Sequence, residues 1–206
     1  MIRTQNNTTE QCIMEAAEAL FLDKGYARTS TIEIARVVGC NQALVHYYFR
    51  SKENLFKQVF ENKIKSFCFS LLEISEEDLP FKEKLEKRIG NHFDMLKVNS
   101  KLPILLFNEV HTNQDLARKI FADVGHLPLS IIAQIQSELD VEYENGHICK
   151  TDAAALLFSI FSLNIMTFIA SPLLRLFAEN SKEPLDVILE QRRAENIQLI
   201  MNSLNP

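Results

Sequence analysis

Residues Ser30 to Phe49, STIEIARVVGCNQALVHYYF, constrain this chain more than any other stretch. Ser30 is a strong helix N-cap, and Glu33 three residues on completes a capping box, each side chain satisfying a backbone N–H of the other residue. Ile34, Ala35 and Val38 then share one helix face. Gly39 follows, where a left-handed residue is cheap only without a Cβ. Asn41 is a strong cap for a second helix. Two short helices around a glycine turn predict a helix-turn-helix, the arrangement that holds one helix against the major groove of DNA. The second helix carries Gln42, Leu44, His46 and Tyr47, polar and aromatic side chains suited to base edges and phosphates.

Upstream, Ile13, Ala16, Ala17, Leu20 and Phe21 follow the spacing of one helix face. Thr8, with Gln11 three residues later, caps that helix, and Asp23-Lys24-Gly25-Tyr26 ends it. The landmarks from Ile13-Met14-Glu15-Ala16-Ala17 through Gly25-Tyr26, Thr29-Ser30, Ile34-Ala35, Gly39 and Tyr48-Phe49 to Ser51-Lys52-Glu53-Asn54-Leu55 occur in one order without insertion. This block closely resembles the N-terminal domain of TetR-family transcriptional regulators. The resemblance covers a quarter to a third of the chain. It implies a three-helix DNA-binding domain over residues 8–65, with the helix-turn-helix near 29–48, and a larger helical ligand-binding and dimerisation domain over 66–206.

The resemblance also assigns roles. Gln42, Ala43, Leu44, His46 and Tyr47 match groove-facing positions, and Ser30, Thr31 and Lys52 match phosphate contacts. Gln42 suits the N6 and N7 edge of adenine, and Ala43 or Leu44 suits a thymine methyl. His46 and Tyr47 suit phosphates or sugars, which position the helix without reading sequence. Val45, Tyr48 and Phe49 read as core. Three positions depart from the commonest family pattern: His46 for tyrosine, Ala43 for glycine or proline, and Ile32 for a polar residue. Ile32 either meets a methyl group in the groove or is a plain exposed apolar residue. These departures bear on the operator sequence rather than on the mode of binding.

Five Gly and six Pro in 206 residues, with little strand-type alternation, predict an all-α chain. The net charge of −5 is uneven. Residues 1–65 hold nine Lys/Arg against seven Asp/Glu, which is +2 and leaves −7 for the remainder. Binding to DNA then rests on a few placed cations, Arg28, Arg50 and Lys52 among them, rather than on bulk charge. Cys12, Cys40, Cys68 and Cys149 show no metal-type pairing, and no signal peptide precedes the first helix, so free thiols in a cytoplasmic protein are expected. Glu109 with His111, and His147 with Cys149, lack the spacing of a metal pair. There is no Ser-His-Asp array, glycine-rich phosphate loop or metal-ligand spacing, so neither an enzyme nor a cofactor is expected.

Beyond Leu55 the pattern predicts a helix over Ser51 to about Leu72, an acidic loop at 74–79, and helices at Pro80–Val98, Pro103–His111, Asp115–Val124 and Pro128–Glu142. Ala153 to Leu174 contains no charge and is long enough to span a bilayer. Ser159, Ser162, Asn164 and Thr167 interrupt it and Pro172 cuts it, so a buried helix is the better reading, and no membrane is expected. The resemblance places this helix, about 153–169, and the last one, about 184–204, in a homodimer bundle. Two copies would then present recognition helices about 34–36 Å apart to a near-palindromic operator. The family likeness further implies a repressor released by a small effector. The 14 Phe and absent Trp favour an apolar or flat one. Candidate lining residues are Phe67, Phe93, Met95 and Phe107, then Phe121, Phe161, Asn164 and Phe168, each of which ordinary core packing also explains. Asn164 is the sharpest of these, because an amide in an apolar helix must pair with a ligand, a backbone group or its mate across the dimer. The other reading of the chain is a DNA-binding architectural or cell-division factor that no ligand gates.

Overall fold

The computed structural model describes residues 8–69, 79–124 and 126–206, all of it helix and connecting turns. Of the acidic loop predicted at 74–79, residues 74–78 lie outside the described residues. The chain forms two compact units, residues 1–64 with 104–124, and residues 65–103 with 125–206.

The first unit contains α1 (Thr9–Lys24), α2 (Thr31–Val38), α3 (Gln42–Phe49) and the greater part of α4 (Lys52–Phe69). Each start is capped as its residues dictate. Thr8 Oγ1 accepts from the Gln11 N–H at 3.3 Å, Ser30 Oγ from Glu33 N–H at 3.2 Å, and Asn41 Oδ1 from Ala43 N–H at 2.9 Å. Gly39 ends α2 at φ +74°, the left-handed turn the sequence requires. Phe21, Ile34, Val45, Phe49 and Phe56 are fully buried or nearly so. The Phe56 ring meets Phe21 edge-on at 4.9 Å and Tyr26 at 4.8 Å, a preferred geometry for aromatic pairs. The same unit also takes in most of α6 (Leu102–Thr112) and α7 (Gln114–Val124). The expected boundary at 65/66 assigned these to the larger domain. Lys57 with Asp123, Lys119 with Glu53 at 2.6 Å, and the Tyr26 N–H donating to Glu109 at 3.3 Å hold them in the first.

The second unit contains α5 (Phe81–Val98), α8 (His126–Glu144), α9 (Ala153–Ile169), α10 (Ser171–Ser181) and α11 (Leu185–Ser203). Leu85, Ile89, Ile135, Leu139, Leu157 and Ile160 are among its buried residues. Arg88, itself 4% exposed, grips Glu138 with both guanidinium ends and so ties α5 to α8. Asp152 caps α9, accepting from the Ala155 N–H at 2.8 Å. Pro172 turns the chain by 62° into α10, a helix that the sequence reading passed over as a break. Among the described residues no single helix is long and apolar enough to cross a membrane.

Candidate nucleic-acid interface

Helix α3 is seated by Val45 and Phe49, each 1% exposed. Four residues apart, they share one face, so the rest of the helix turns outward. Ala43, Leu44, His46 and Tyr47 are exposed, Tyr47 at 65% and Leu44 at 38%, and Gln42 and Tyr48 are half-buried. Ser30 is exposed at the start of α2, and Thr31 lies half-buried beside it. Ile32 is exposed at 55%. The cations Arg28, Arg36 and Arg50 are exposed around the same helices, and Arg50 has a positive φ of 65° at the end of α3.

A chain of hydrogen bonds, not legible in the sequence, runs along this face. His46 Nδ1 lies 3.2 Å from the Arg50 carbonyl, which can only accept, so Nδ1 carries the proton. The other ring nitrogen, Nε2, lies 3.4 Å from Gln42 Nε2 and accepts from it in the tautomer with the proton on Nδ1 alone. The same Gln42 amide nitrogen donates to Thr31 Oγ1 at 3.0 Å. In that tautomer both amide protons of Gln42 are engaged within the chain, which leaves its carbonyl oxygen as the group without a partner in this network.

Lys52 is turned inward. Its ammonium donates to the Tyr26 and Thr29 carbonyls at 2.7 and 2.9 Å and sits 4.2 Å from the centre of the Tyr26 ring. Burial pushes its pKa below the ordinary value, and the Glu109 carboxylate opposes that shift. One of its three protons remains for a phosphate. Glu109 had no signal as part of this site, being 83 residues from Tyr26 in sequence.

Residues 13–59 match the pattern of bacterial regulatory proteins of the tetR family. These residues span α1, α2, α3 and the start of α4. The chain is 25% identical over 157 residues to the uncharacterised HTH-type transcriptional regulator YhgD of Bacillus subtilis, covering 76% of this chain and 80% of that one. It is 29% identical over 109 residues to the fatty acid metabolism regulator protein of the same organism, covering 52% of this chain and 56% of that one. The transcriptional regulator FadR of Bacillus subtilis, solved in complex with stearoyl-CoA, superposes with a TM-score of 0.68 over 94% of this chain and 98% of its own, at 22% identity. That likeness shows a shared fold.

The residues suggested for an effector pocket are dispersed. Phe93 and Phe168 belong to one buried cluster with Leu96 and Leu189, their rings 5.0 Å apart, and Met95 packs against it. Phe161 lies 5.2 Å from the His92 ring. Phe107 is exposed and stacks on His111 in the first unit. The side chains of Phe67 and Phe121 lie outside those described. Asn164 is fully buried, and its amide is satisfied within the chain. Its nitrogen donates to the Ile89 carbonyl at 3.1 Å and to His92 Nδ1 at 2.9 Å, and its oxygen accepts from Asn196 at 2.9 Å. A separate open groove of about 330 Å³ lies along α9, bordered by Ser162, Met166 and Ala170, with Leu174 of α10 and Arg192 of α11.

Proposed function

We propose that this chain is a TetR-family regulator, a homodimeric repressor that binds a near-palindromic operator and leaves it when a small, largely apolar effector binds. The observation that carries the reading is α3, anchored by Val45 and Phe49, with Leu44, His46 and Tyr47 exposed and Gln42 half-buried at its start. Residues of that helix touch base edges. Ser30, Thr31, Arg50 and the free proton of Lys52 position the helix on phosphates. Two copies joined through α9 and α11 place two such helices on successive major-groove turns. A dimer is the family's habit, and Phe158, Met166 and Leu199 on these helices are exposed.

For the effector we propose an acyl chain carried on a carboxylate or thioester. The fatty acid metabolism regulator and the stearoyl-CoA complex among the relatives support that chemistry. The second unit also carries the aromatic side chains Phe93, Phe161 and Phe168. The release is a population shift, governed by the effector's differential affinity for the DNA-matched and released dimers. A second reading, a DNA-binding factor without a ligand, is favoured by one observation. Phe93, Phe168 and Asn164 are packed and satisfied by their own neighbours.

The experiment is selection of bound duplexes from a random pool, followed by release assays with long-chain acyl-CoA and free fatty acid. Enrichment of two inverted half-sites, with release by the acyl compound, is the expected result. A half-site without its mate would overturn the dimer, and retention at saturating acyl compound would favour the ligand-free reading.

A further inference from the structure

Thr31, Gln42, His46 and Arg50 form one row of hydrogen bonds. Gln42 and His46 lie one helical turn apart on α3, and Arg50 caps its end a turn further on. The row has a fixed end and a movable end. At the fixed end the Arg50 carbonyl, 3.2 Å from His46 Nδ1, can only accept, so it keeps a proton on Nδ1 whatever the charge of the ring. The proton that comes and goes is then the one on Nε2. That is the nitrogen that meets the Gln42 amide, at 3.4 Å.

This placement couples the two side chains. A neutral ring offers Nε2 as an acceptor, and the amide answers with its NH2 end. A charged ring offers an N–H at the same point. Two facing donors repel, and the amide is relieved by turning over, so that its oxygen accepts from Nε2–H. The turn asks for no new space, because the two ends of a carboxamide are alike in size. Thr31 permits it as well. Its hydroxyl accepts from the amide nitrogen at 3.0 Å and, being also a donor, can serve the oxygen after the turn. In either state one end of the amide is held by Thr31 and His46, and the other end is left over.

No carboxylate is among the contacts of His46. Of the charged groups on the elements around α3, Glu33 of α2 is held by Lys24 of α1. Lys52 of α4 is held by the Tyr26 and Thr29 carbonyls, and Glu53 by Lys119. Arg36 of α2 and the Arg50 side chain are exposed. A histidine ring changes charge in the range around neutrality, and the phosphates of a bound duplex favour the charged form.

We propose that His46 is a positioning residue for base reading: the proton on its Nε2 selects which end of the Gln42 amide is presented to DNA, and with it the base that Gln42 prefers. This rests on the reading of α3 as the recognition helix. With the ring neutral, the Gln42 carbonyl accepts from the exocyclic amino group of adenine or cytosine. With the ring charged, the NH2 end donates to guanine O6 or N7, or to thymine O4. The choice of operator then depends on pH.

The test is selection from a random duplex pool at pH 8 and pH 6 with the full chain, His46→Lys and Gln42→Ala. Melting curves at both values check that each protein is folded. Nitrogen NMR of the imidazole in the free wild type follows the two ring nitrogens. In the expected result one position of each half-site moves from adenine or cytosine at pH 8 to guanine or thymine at pH 6, by about fivefold. His46→Lys, a donor at both values, selects guanine or thymine already at pH 8, and Gln42→Ala has no preference there at either. Nδ1 stays protonated throughout while Nε2 titrates. One base at both values, in wild type and His46→Lys alike, with Gln42→Ala still erasing it, overturns the role of His46 and preserves α3 as the reading helix. A pH-dependent change that persists in His46→Lys assigns it to another group and overturns the proposal. A bare Nδ1 with a protonated Nε2 at neutral pH removes its premise. A site that Gln42→Ala leaves unaltered overturns the reading of Gln42 as a base contact, on which the proposal stands.

Discussion

Single residues show how far a side chain's duty depends on where its neighbours fold. Lys52, matched by family to a phosphate contact, spends two protons on the Tyr26 and Thr29 carbonyls. Hydrogen bonds from a charged donor contribute more than neutral ones, so Lys52→Ala should cost the fold about 2 kcal/mol. Urea unfolding will show it, and a loss confined to DNA affinity would mean that the inward contacts matter little. His92 makes a sharper case. Burial lowers its pKa from 6.5 to about 3, and its Nδ1 must stay unprotonated to accept from Asn164. The unfolded chain therefore binds a proton below pH 6.5 that the folded chain refuses. Stability is complete above that pH and falls on acidification toward 3, with a slope approaching about 1.4 kcal/mol per pH unit. Gln at this position can accept from Asn164 through its oxygen without titrating. His92→Gln should flatten the acid limb measured between pH 6.5 and 4, and an unchanged slope would assign that limb to other groups.

Elements add what residues lack, a shared orientation. Within α3 the choice of Val45 and Phe49 as anchors settles that Ala43, Leu44, His46 and Tyr47 face out. Replacing both Gln42 and Tyr47 by Ala should abolish specific operator binding and leave melting temperature and oligomeric state as they were. Identical footprints from variant and wild type would place the reading edge elsewhere. While His46 is neutral, the link from Gln42 to Thr31 and His46 commits both amide protons, so Gln42 presents an acceptor alone. An acceptor reads an exocyclic amino group, on adenine or on cytosine. Thr31→Val removes one of the two acceptors and frees an amide proton. Selection from a random pool should then sharpen toward adenine, whose N6 and N7 take both ends of the amide. No change in the preferred base would mean that DNA itself breaks the Thr31 contact.

At the scale of the whole molecule, charge and symmetry decide how binding responds to salt. The chain is acidic, so attraction to DNA comes from a few cations near α2 and α3. Each phosphate contact contributes a slope of about −0.9 in log K against log salt concentration. If Arg50 touches a phosphate in each half-site, Arg50→Ala should reduce the slope by about 2. A reduction of about 1 would indicate one copy per operator, and none would remove Arg50 from the contact set. The grouping of residues 104–124 with the first unit matters at this scale too. Glu109, Lys119 and Asp123 hold these residues to the recognition domain.

The local sequence determined the helix-turn-helix outright, because caps and a left-handed glycine act within three or four residues of themselves. Ser30, Gly39 and Asn41 do in the structure what their chemistry requires anywhere. The all-α class followed in the same way from sparse Gly and Pro and from helical spacing. Tertiary structure alone decided the destinations of Lys52, Glu109 and Asn164, whose partners lie 23 to 83 residues away. It also decided that the aromatics offered for an effector divide between two units, and that α10 forms a helix with Leu173, Leu176 and Phe177 exposed. Spacing along a helix says which side chains share a face, but not which neighbour, if any, that face will meet.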